Sequence, residues 1–352
     1  MRVIVTGAAG FIGSHVAEEV TRLGHDVVAL DGLIPEVHPH GVWPTGRADH
    51  CQRVTVDLRD TGAVTDVIAG ADAVIHQASL VGHGLDLADL PRYAGLNDLG
   101  TASLLAAMHT AHIGRLVLAS SMVVYGEGRY TCPEHGVTEP LPRTTVNLAR
   151  GEFEPECPGC RAPLVWRPVP ESAQLRPTSA YAASKVSQEH FVSVWARSTG
   201  VAAFALRYHN VYGPRMPLNS PYSGVVALFR SRVVAGRPPL VFEDGEQMRD
   251  FVHVHDIARA NALALGNETE LAPGLHPVNI CSGDPRSVGW AAGLLASAAD
   301  APTPIVTGEY RAADVRHVVA DPTRARQLLG FEATISPESG LAAFGQESAA
   351  GE

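Results

Sequence analysis

Tyr181 and Lys185 stand four residues apart, a spacing that on a helix puts a phenol and an ammonium on one face. A neighbouring positive charge favours phenolate over phenol, so the pair has the chemistry of a general base. The lysine is unusual for a second reason. The 352-residue chain has 27 lysines and arginines together, and Lys185 is the single lysine among them. Heavy use of Arg, Ala, Gly and Pro points to GC-rich coding, under which a surface lysine drifts to arginine at little cost. A lysine that stays is expected where a compact donor of tunable pKa is needed and a planar, permanently charged fork will not serve. The plainer alternatives are a core tyrosine, a solvated helix lysine and chance survival.

A second constellation is Gly7-Ala8-Ala9-Gly10-Phe11-Ile12-Gly13, between a β-branched run and a helical pattern. One glycine makes the tight turn, one lets a pyrophosphate approach the backbone, and one lets helix and strand pack closely. Phe11 and Ile12 open the helix, whose free N–H groups and positive dipole end face the phosphates. Asp31 follows Gly13 by 18 residues at the end of the second strand. Its carboxylate would accept ribose hydroxyls and repel a 2′-phosphate. No arginine lies in 32–41, so the pattern favours NAD over NADP. The alternative is an ordinary strand-to-helix turn. Asp57 and Leu58, after the third strand, would sit beside adenine. His76, Gln77, Ala78 and Ser79, after the fourth, would line the middle of the cofactor. Ordinary strand-end polarity is the alternative for both sets.

A third constellation is Cys132-Pro133-Glu134-His135, then 21 residues, then Cys157-Pro158-Gly159-Cys160. Two pairs of N/S ligands of this kind suit a closed tetrahedral zinc site. Arg161 stands where such knuckles commonly have glycine. A redox pair at Cys157 and Cys160 and four unligated loop residues are the competing readings. Cys51 and Cys281 read as packing residues.

The elements that must position these groups follow a β-α-β rhythm. Continuously apolar runs at 2–6, 26–30, 53–56, 72–75, 115–119 and 202–207 read as strands covered by helices on both faces. Helical patterns lie at 11–23, 61–69, 97–111 and 181–199. This predicts an α/β fold, a doubly wound parallel sheet of Rossmann type, with a smaller C-terminal α/β substrate lobe. The expected division is 1–213 for the cofactor domain and 214–345 for the lobe, the two interleaving. In the lobe, helices are expected near 222–235, 256–265, 287–299 and 322–329, and a strand at 240–242. The rhythm breaks over about 127–178, a proline-rich stretch that reads as a long ordered loop or insertion.

The formal net charge is −10, which argues against a nucleic-acid partner. No apolar stretch reaches the roughly 18 residues of a membrane span. The chain opens directly into a strand, so no signal peptide is expected. Five cysteines suggest no disulfide framework. A cytoplasmic protein is the expectation.

Together these residues resemble the extended short-chain dehydrogenases/reductases that act on nucleotide sugars. The likeness covers roughly residues 1 to 345. It rests on the glycine turn, Asp31, Asn97, Ser120-Ser121-x-x-Val124-Tyr125-Gly126, Tyr181-x-x-x-Lys185, Asn210-Val211-Tyr212-Gly213-Pro214, and Arg249-Asp250-Phe251-Val252-His253-Val254-x-Asp256. The resemblance implies NAD, and Tyr181 as the base that takes a hydroxyl proton. It implies that Lys185 binds the nicotinamide ribose and that Ser121 orients the reacting oxygen. Asn97 would border the cofactor. Met122, Asn210, Arg249, Arg311 and Asp314 would border the nucleotide sugar, with guanidinium forks on phosphate oxygens. His253 reads as structural. Homodimerisation is expected, often through the helix carrying Tyr181.

Relatives that eliminate water carry Asp-Glu after the hydroxyl residue, and decarboxylating relatives carry Glu. Met122 and Val123 stand there instead, and neither can exchange a proton. That favours oxidation and re-reduction at one carbon, as in a 4-epimerase. The insertion and the stretches Tyr222-Ser223-Gly224-Val225 and Phe242-Glu243-Asp244-Gly245 look most like dTDP-L-rhamnose 4-epimerase-type enzymes. UDP-glucose or UDP-glucuronate 4-epimerases, a 4-keto-sugar reductase or dehydrogenase, and a silent NAD-binding sensor are the alternatives. The gap of 60 residues between Ser121 and Tyr181 is longer than the family's usual spacing, so the insertion is expected to wall the sugar pocket.

Overall fold

Apolar strands with no polar face need cover on both sides, and the central sheet has it. A computed structural model describes residues 1–35, 37–82, 86–218, 224–312 and 314–347. The chain begins β1 (Arg2–Thr6), α1 (Phe11–Arg22), β2 (Asp26–Asp31), β3 (Gln52–Thr55), α2 (Thr61–Ile68), β4 (Ala73–His76), α3 (Leu90–Tyr93), α4 (Gly100–Thr110) and β5 (Leu116–Ser121). The inserted stretch holds β6 (Arg129–Cys132), β7 (Gly136–Thr138), α5 (Thr145–Ala149) and β8 (Val165–Arg167). Next come α6 (Ala180–Thr199), β9 (Ala202–Tyr208), β10 (Asn210–Tyr212), α7 (Val225–Val234), β11 (Leu240–Val241), β12 (Met248–Arg249), β13 (Phe251–His253), α8 (Val254–Leu265) and β14 (Gly274–Ile280). The chain closes with β15 (Arg286–Ser287), α9 (Val288–Ala298), β16 (Ile305–Val306), α10 (Thr323–Leu329) and α11 (Pro337–Gln346).

The seven-stranded sheet runs β3-β2-β1-β4-β5-β9-β14, and every pairing in it is parallel. Successive strand residues point to opposite faces. Val3 and Val5 of β1 therefore pack with Val16 and Val20 of α1 and Ile257 and Ala260 of α8. Ile4, between them, packs with Ile68 of α2, Leu104 and Met108 of α4 and Val192 of α6. A separate core in the C-terminal half joins Phe229, Leu295, Leu341 and Phe344. The strand order reverses between β1 and β4, the switch point where such sheets open a ligand crevice.

Three features depart from the sequence expectation. β14 supplies the seventh strand from a stretch in which no strand was expected. Its Pro277 breaks the strand pattern, and an edge position is where a sheet tolerates proline. The helix expected at 97–111 is entered through a π-helical segment, Ala94–Leu99. The insertion is not plain loop. It carries a small antiparallel sheet of order β7-β6-β8. Among the described residues, no helix is long and apolar enough to cross a membrane.

Candidate active site

The glycine turn fits a pyrophosphate on geometric grounds. Gly7 has φ of +67°, and a Cβ there would lie 2.6 Å from the Ala78 nitrogen. At Gly13 a Cβ would come within 2.1 Å of the Gly7 carbonyl oxygen, so only glycine lets α1 start this close to β1. Gly10 is the N-cap of α1, with no side chain capping the first turn, which leaves the amides of Phe11, Ile12 and their neighbours to an anion. The Asp31 carboxylate accepts from Ala9 N at 3.0 Å and Leu33 N at 2.9 Å, which fixes it beside the turn with lone pairs to spare. Arg47, which the sequence reading passed over, reaches the Ala9 carbonyl at 3.0 Å. It follows the stretch 32–41 that trails Asp31.

The other expected cofactor residues fall into two groups. Ala78 sits against Gly7, and its N–H donates to Thr6 Oγ1 at 3.1 Å. Leu58 is buried, and Asp57 pairs with Arg59 at the surface. His76 is instead a buried brace between Thr6 and Thr101, at 2.8 and 2.9 Å. Gln77 donates to Tyr208 and Asn261, both at 2.9 Å. Asn97 grips Leu80 through both backbone groups and donates to Ser184 Oγ at 2.9 Å. Its side chain thus ties the β4 loop to α6 next to Lys185.

Ser121 ends β5, and α6 starts at a Ser179 cap that accepts from Ala182 N at 3.1 Å. That brings Ser121 into hydrogen bond with the Tyr181 phenol, although 60 residues separate them. The Lys185 ammonium lies 6.0 Å from the Tyr181 ring centroid. Its Nζ donates to the Ala119 carbonyl at 2.8 Å. Burial raises the phenol well above its ordinary pKa, and the Ser121 bond works against that shift. Burial pulls Lys185 down to about 7, with Glu189 opposing. The sequence reading expected the ammonium to lower the phenol. Burial of both groups outweighs the ammonium's pull, to which a bound nicotinamide adds its positive charge.

Beneath them lies a network that sequence reasoning missed. Glu189 Oε1 accepts from Ser120 Oγ at 2.5 Å and Arg207 Nε at 2.9 Å, and its Oε2 accepts from Arg207 Nη2 at 2.7 Å. Arg207 Nη1 donates to Tyr125 OH at 2.9 Å, and Tyr125 donates to Asn279 Oδ1 at 2.7 Å. The available signal was periodicity, since Tyr181, Lys185 and Glu189 repeat every fourth residue.

A cavity of about 630 Å³ adjoins this group. Tyr125 and Thr178, near neighbours of Ser121 and Tyr181 in the chain, help line it. So do Glu127, Arg143 and Arg176 of the insertion, and Asp314. Arg143 Nη1 donates to Glu243 at 2.7 Å and its Nη2 to the Asp314 carbonyl. Arg249 is occupied by the carbonyls of Met248, Val315 and Arg316 at 2.7–2.8 Å. Arg311 stacks over Phe242, 5.2 Å from its centroid. Asn210 heads β10, paired with Phe251 of β13, and Met122 opens the turn after Ser121. Tyr222 and Ser223, part of the sequence patterns above, lie outside the described residues. His253 caps α8 by accepting from His255 N at 3.3 Å, the structural role expected of it. The four Cys/His candidates converge at one point of the insertion.

The sequence pattern of the NAD dependent epimerase/dehydratase family matches residues 3–147 and 165–281. The chain is 33% identical to dTDP-L-rhamnose 4-epimerase of Burkholderia thailandensis, over 97% of this chain and 93% of that one. The Thermus thermophilus UDP-glucose 4-epimerase in complex with NAD superposes with a TM-score of 0.76 at 30% identity, covering 98% of both chains. A UDP-glucose 4-epimerase of Thermotoga maritima with UDP-glucose gives a TM-score of 0.77 at 25% identity, again over 98% of both. The chain belongs to the NAD-dependent epimerase/dehydratase family.

Proposed function

We propose that this protein is an NAD-dependent nucleotide-sugar 4-epimerase. The observation that carries the reading is the junction of Ser121, Tyr181 and Lys185, followed by Met122 and Val123. A hydroxyl oriented by Ser121 presents its proton to Tyr181. Lys185 holds positive charge on the same helix face and a donor toward the cofactor's ribose. NAD, when bound, supplies a hydride acceptor and donor, so a sugar carbinol can become a 4-keto sugar and be reduced again from its other face. Methionine and valine offer no acid or base for elimination, so the 4-keto sugar keeps its substituents.

The glycine turn, the uncapped start of α1 and Asp31 support NAD. The B. thailandensis relative, matched along nearly the whole chain, supports dTDP-L-rhamnose as substrate, and UDP-glucose and UDP-glucuronate are the competitors. The chain divides as a cofactor domain over 1–213 and a nucleotide-sugar lobe over 214–345 that interleave, α8 and β14 returning to the central sheet. Asn210, Arg249 and Arg311 lie at the diphosphate or in its neighbourhood in this reading, and Asp314 borders the nucleotide sugar. Exposed Phe191 and Val194 on α6, at 41% and 57%, support a homodimer through that helix. The test is incubation with dTDP-L-rhamnose, UDP-glucose and UDP-glucuronate and no added coenzyme, with NMR at C4. Epimer from one of them is expected. No epimer from any of them, with stoichiometric consumption of NADH or NADPH when a nucleotide 4-keto sugar is supplied instead, would make the protein a reductase.

A further inference from the structure

We propose that Cys132, His135, Cys157 and Cys160 bind one Zn²⁺ in a closed tetrahedral site, and that the ion holds the insertion in place as the wall of the cavity beside Tyr125. The four ligand atoms lie within 4.8 Å of one another. Cys132 Sγ is 3.6 Å from Cys160 Sγ and 3.4 Å from His135 Nδ1, and Cys157 Sγ is 3.5 Å from His135 Nδ1. Zn–S bonds of about 2.3 Å and Zn–N bonds of about 2.0–2.1 Å give a tetrahedron with edges of about 3.8 Å between sulfurs and about 3.5 Å from sulfur to nitrogen. These three separations match those edges to within about 0.2 Å. The Cys132–Cys160 separation of 3.6 Å is too long for a disulfide, whose S–S bond is about 2.05 Å.

The backbone around the ligands is built the same way twice. Each pair is Cys-Pro-x-ligand, followed by a residue in left-handed conformation: Gly136 at φ +68° and Arg161 at φ +63°. An arginine accepts that strained position where glycine would be free. Backbone N–H groups of Glu134 and His135 turn toward the Cys132 sulfur, and that of Ala162 toward Cys160, as thiolates require. The His135 ring lies against Gly159, where a Cβ would meet its Nε2 at 2.7 Å. Cys132 and Cys157 are buried, Cys160 is half-buried and His135 is exposed; four protein ligands leave no open coordination position for catalysis.

The insertion needs such a staple. Its own core is Tyr130, Cys132, Cys157 and Leu164, with Cys160 and Trp166 at the edge, too little to hold three short strands. The same strands build the cavity wall. β6 carries Arg129 and Tyr130 into the lining and ends at Cys132, and β7 begins beside His135 and contributes Val137 and Thr138. The second pair lies in 148–164, where the family match is interrupted, so the site belongs to this chain's insertion. The inference does not depend on which sugar is epimerised.

The test is made on full-length protein purified without added zinc. About one zinc per chain is expected by elemental analysis, with five free thiols once the protein is denatured. Exchange with Co²⁺ should give the strong visible bands of a tetrahedral ion with thiolate charge transfer in the near ultraviolet. Cys157→Ser and Cys160→Ser should lose the metal and His135→Cys should keep it. Limited proteolysis of the serine variants, or of wild type stripped by a chelator, should cut within 127–178 while NAD stays bound. Zinc below about 0.2 per chain, or a native disulfide between Cys157 and Cys160, would overturn the site. Metal-free protein with unchanged proteolysis and unchanged KM would overturn its role in the wall.

Discussion

At Lys185 the chemistry of a single side chain is decisive. The residue is 3% exposed, its ammonium is 2.8 Å from the Ala119 carbonyl, and Glu189 lies one turn further along α6. Arginine would bring a wider planar fork into a space closed by β5. Lys185→Arg is therefore expected to lower kcat by about 100-fold or more and to weaken NAD retention, read by the nicotinamide content of the purified protein. Wild-type turnover and retention would return the lone lysine to chance. Tyr181→Phe removes only the phenol oxygen. It is expected to cost about 10²- to 10⁴-fold in kcat with NAD retained and the fold intact by circular dichroism. The Tyr181 and Lys185 positions were legible from spacing and composition alone. Their electrostatic balance was not, because desolvation depends on what covers the helix rather than on the helix's own sequence.

Among elements, the insertion is joined to the C-terminal half by buried ion pairs. Arg316, 1% exposed, holds Glu154, Glu243 and Asp244 at 2.6–2.9 Å, and Arg143 also pairs with Glu243. Removing Arg316 leaves the buried Glu243 with Arg143 as its remaining ion-pair partner among the described residues. Arg316→Ala is expected to cost about 3 kcal/mol, the low end of the range for buried pairs, because Glu154 and Asp244 reach solvent. Denaturant unfolding would check it, and a loss within experimental error would contradict it.

Buried histidines set the response of these elements to acid. Burial lowers His15 and His253 to about 4 and His76 and His209 to about 3. Between those values and the ordinary 6.5, the unfolded chain binds protons that the folded chain refuses, so stability falls as pH falls. Asp98 and Asp250, raised to about 6 by burial, act in the opposite direction below that pH, but the histidines outnumber them. The melting temperature is expected to drop steadily from pH 6.5 toward pH 4. A flat or rising profile would contradict the assignment. The inner parallel strands were legible because each is a nearly continuous apolar run, whereas the edge strand β3 is Gln-Arg-Val-Thr and mostly exposed. β14 was hidden by Pro277, and the insertion's fold by a pattern made of ligands rather than of apolar periodicity.

For the molecule as a whole, the account joins a glycine turn at residue 7, a hydroxyl at 121 and a phenol at 181 into one site through the crossing of β1, β5 and α6. The cofactor class was legible from the turn and Asp31, because backbone conformation and charge decide it locally. The sugar was not, because the cavity lining comes from the insertion, from residues near Asp314 and from turns far apart in the sequence. The central claim is that a sugar is oxidised and reduced at the same carbon without outside coenzyme. The direct measurement uses dTDP-L-rhamnose or its UDP-sugar competitors deuterated at C4, with no NADH or NADPH added and NMR of the product. Epimer that keeps its deuterium at C4 is the expected result. Loss of the label to solvent, or turnover only when external NAD or NADP is added and reduced, would contradict it.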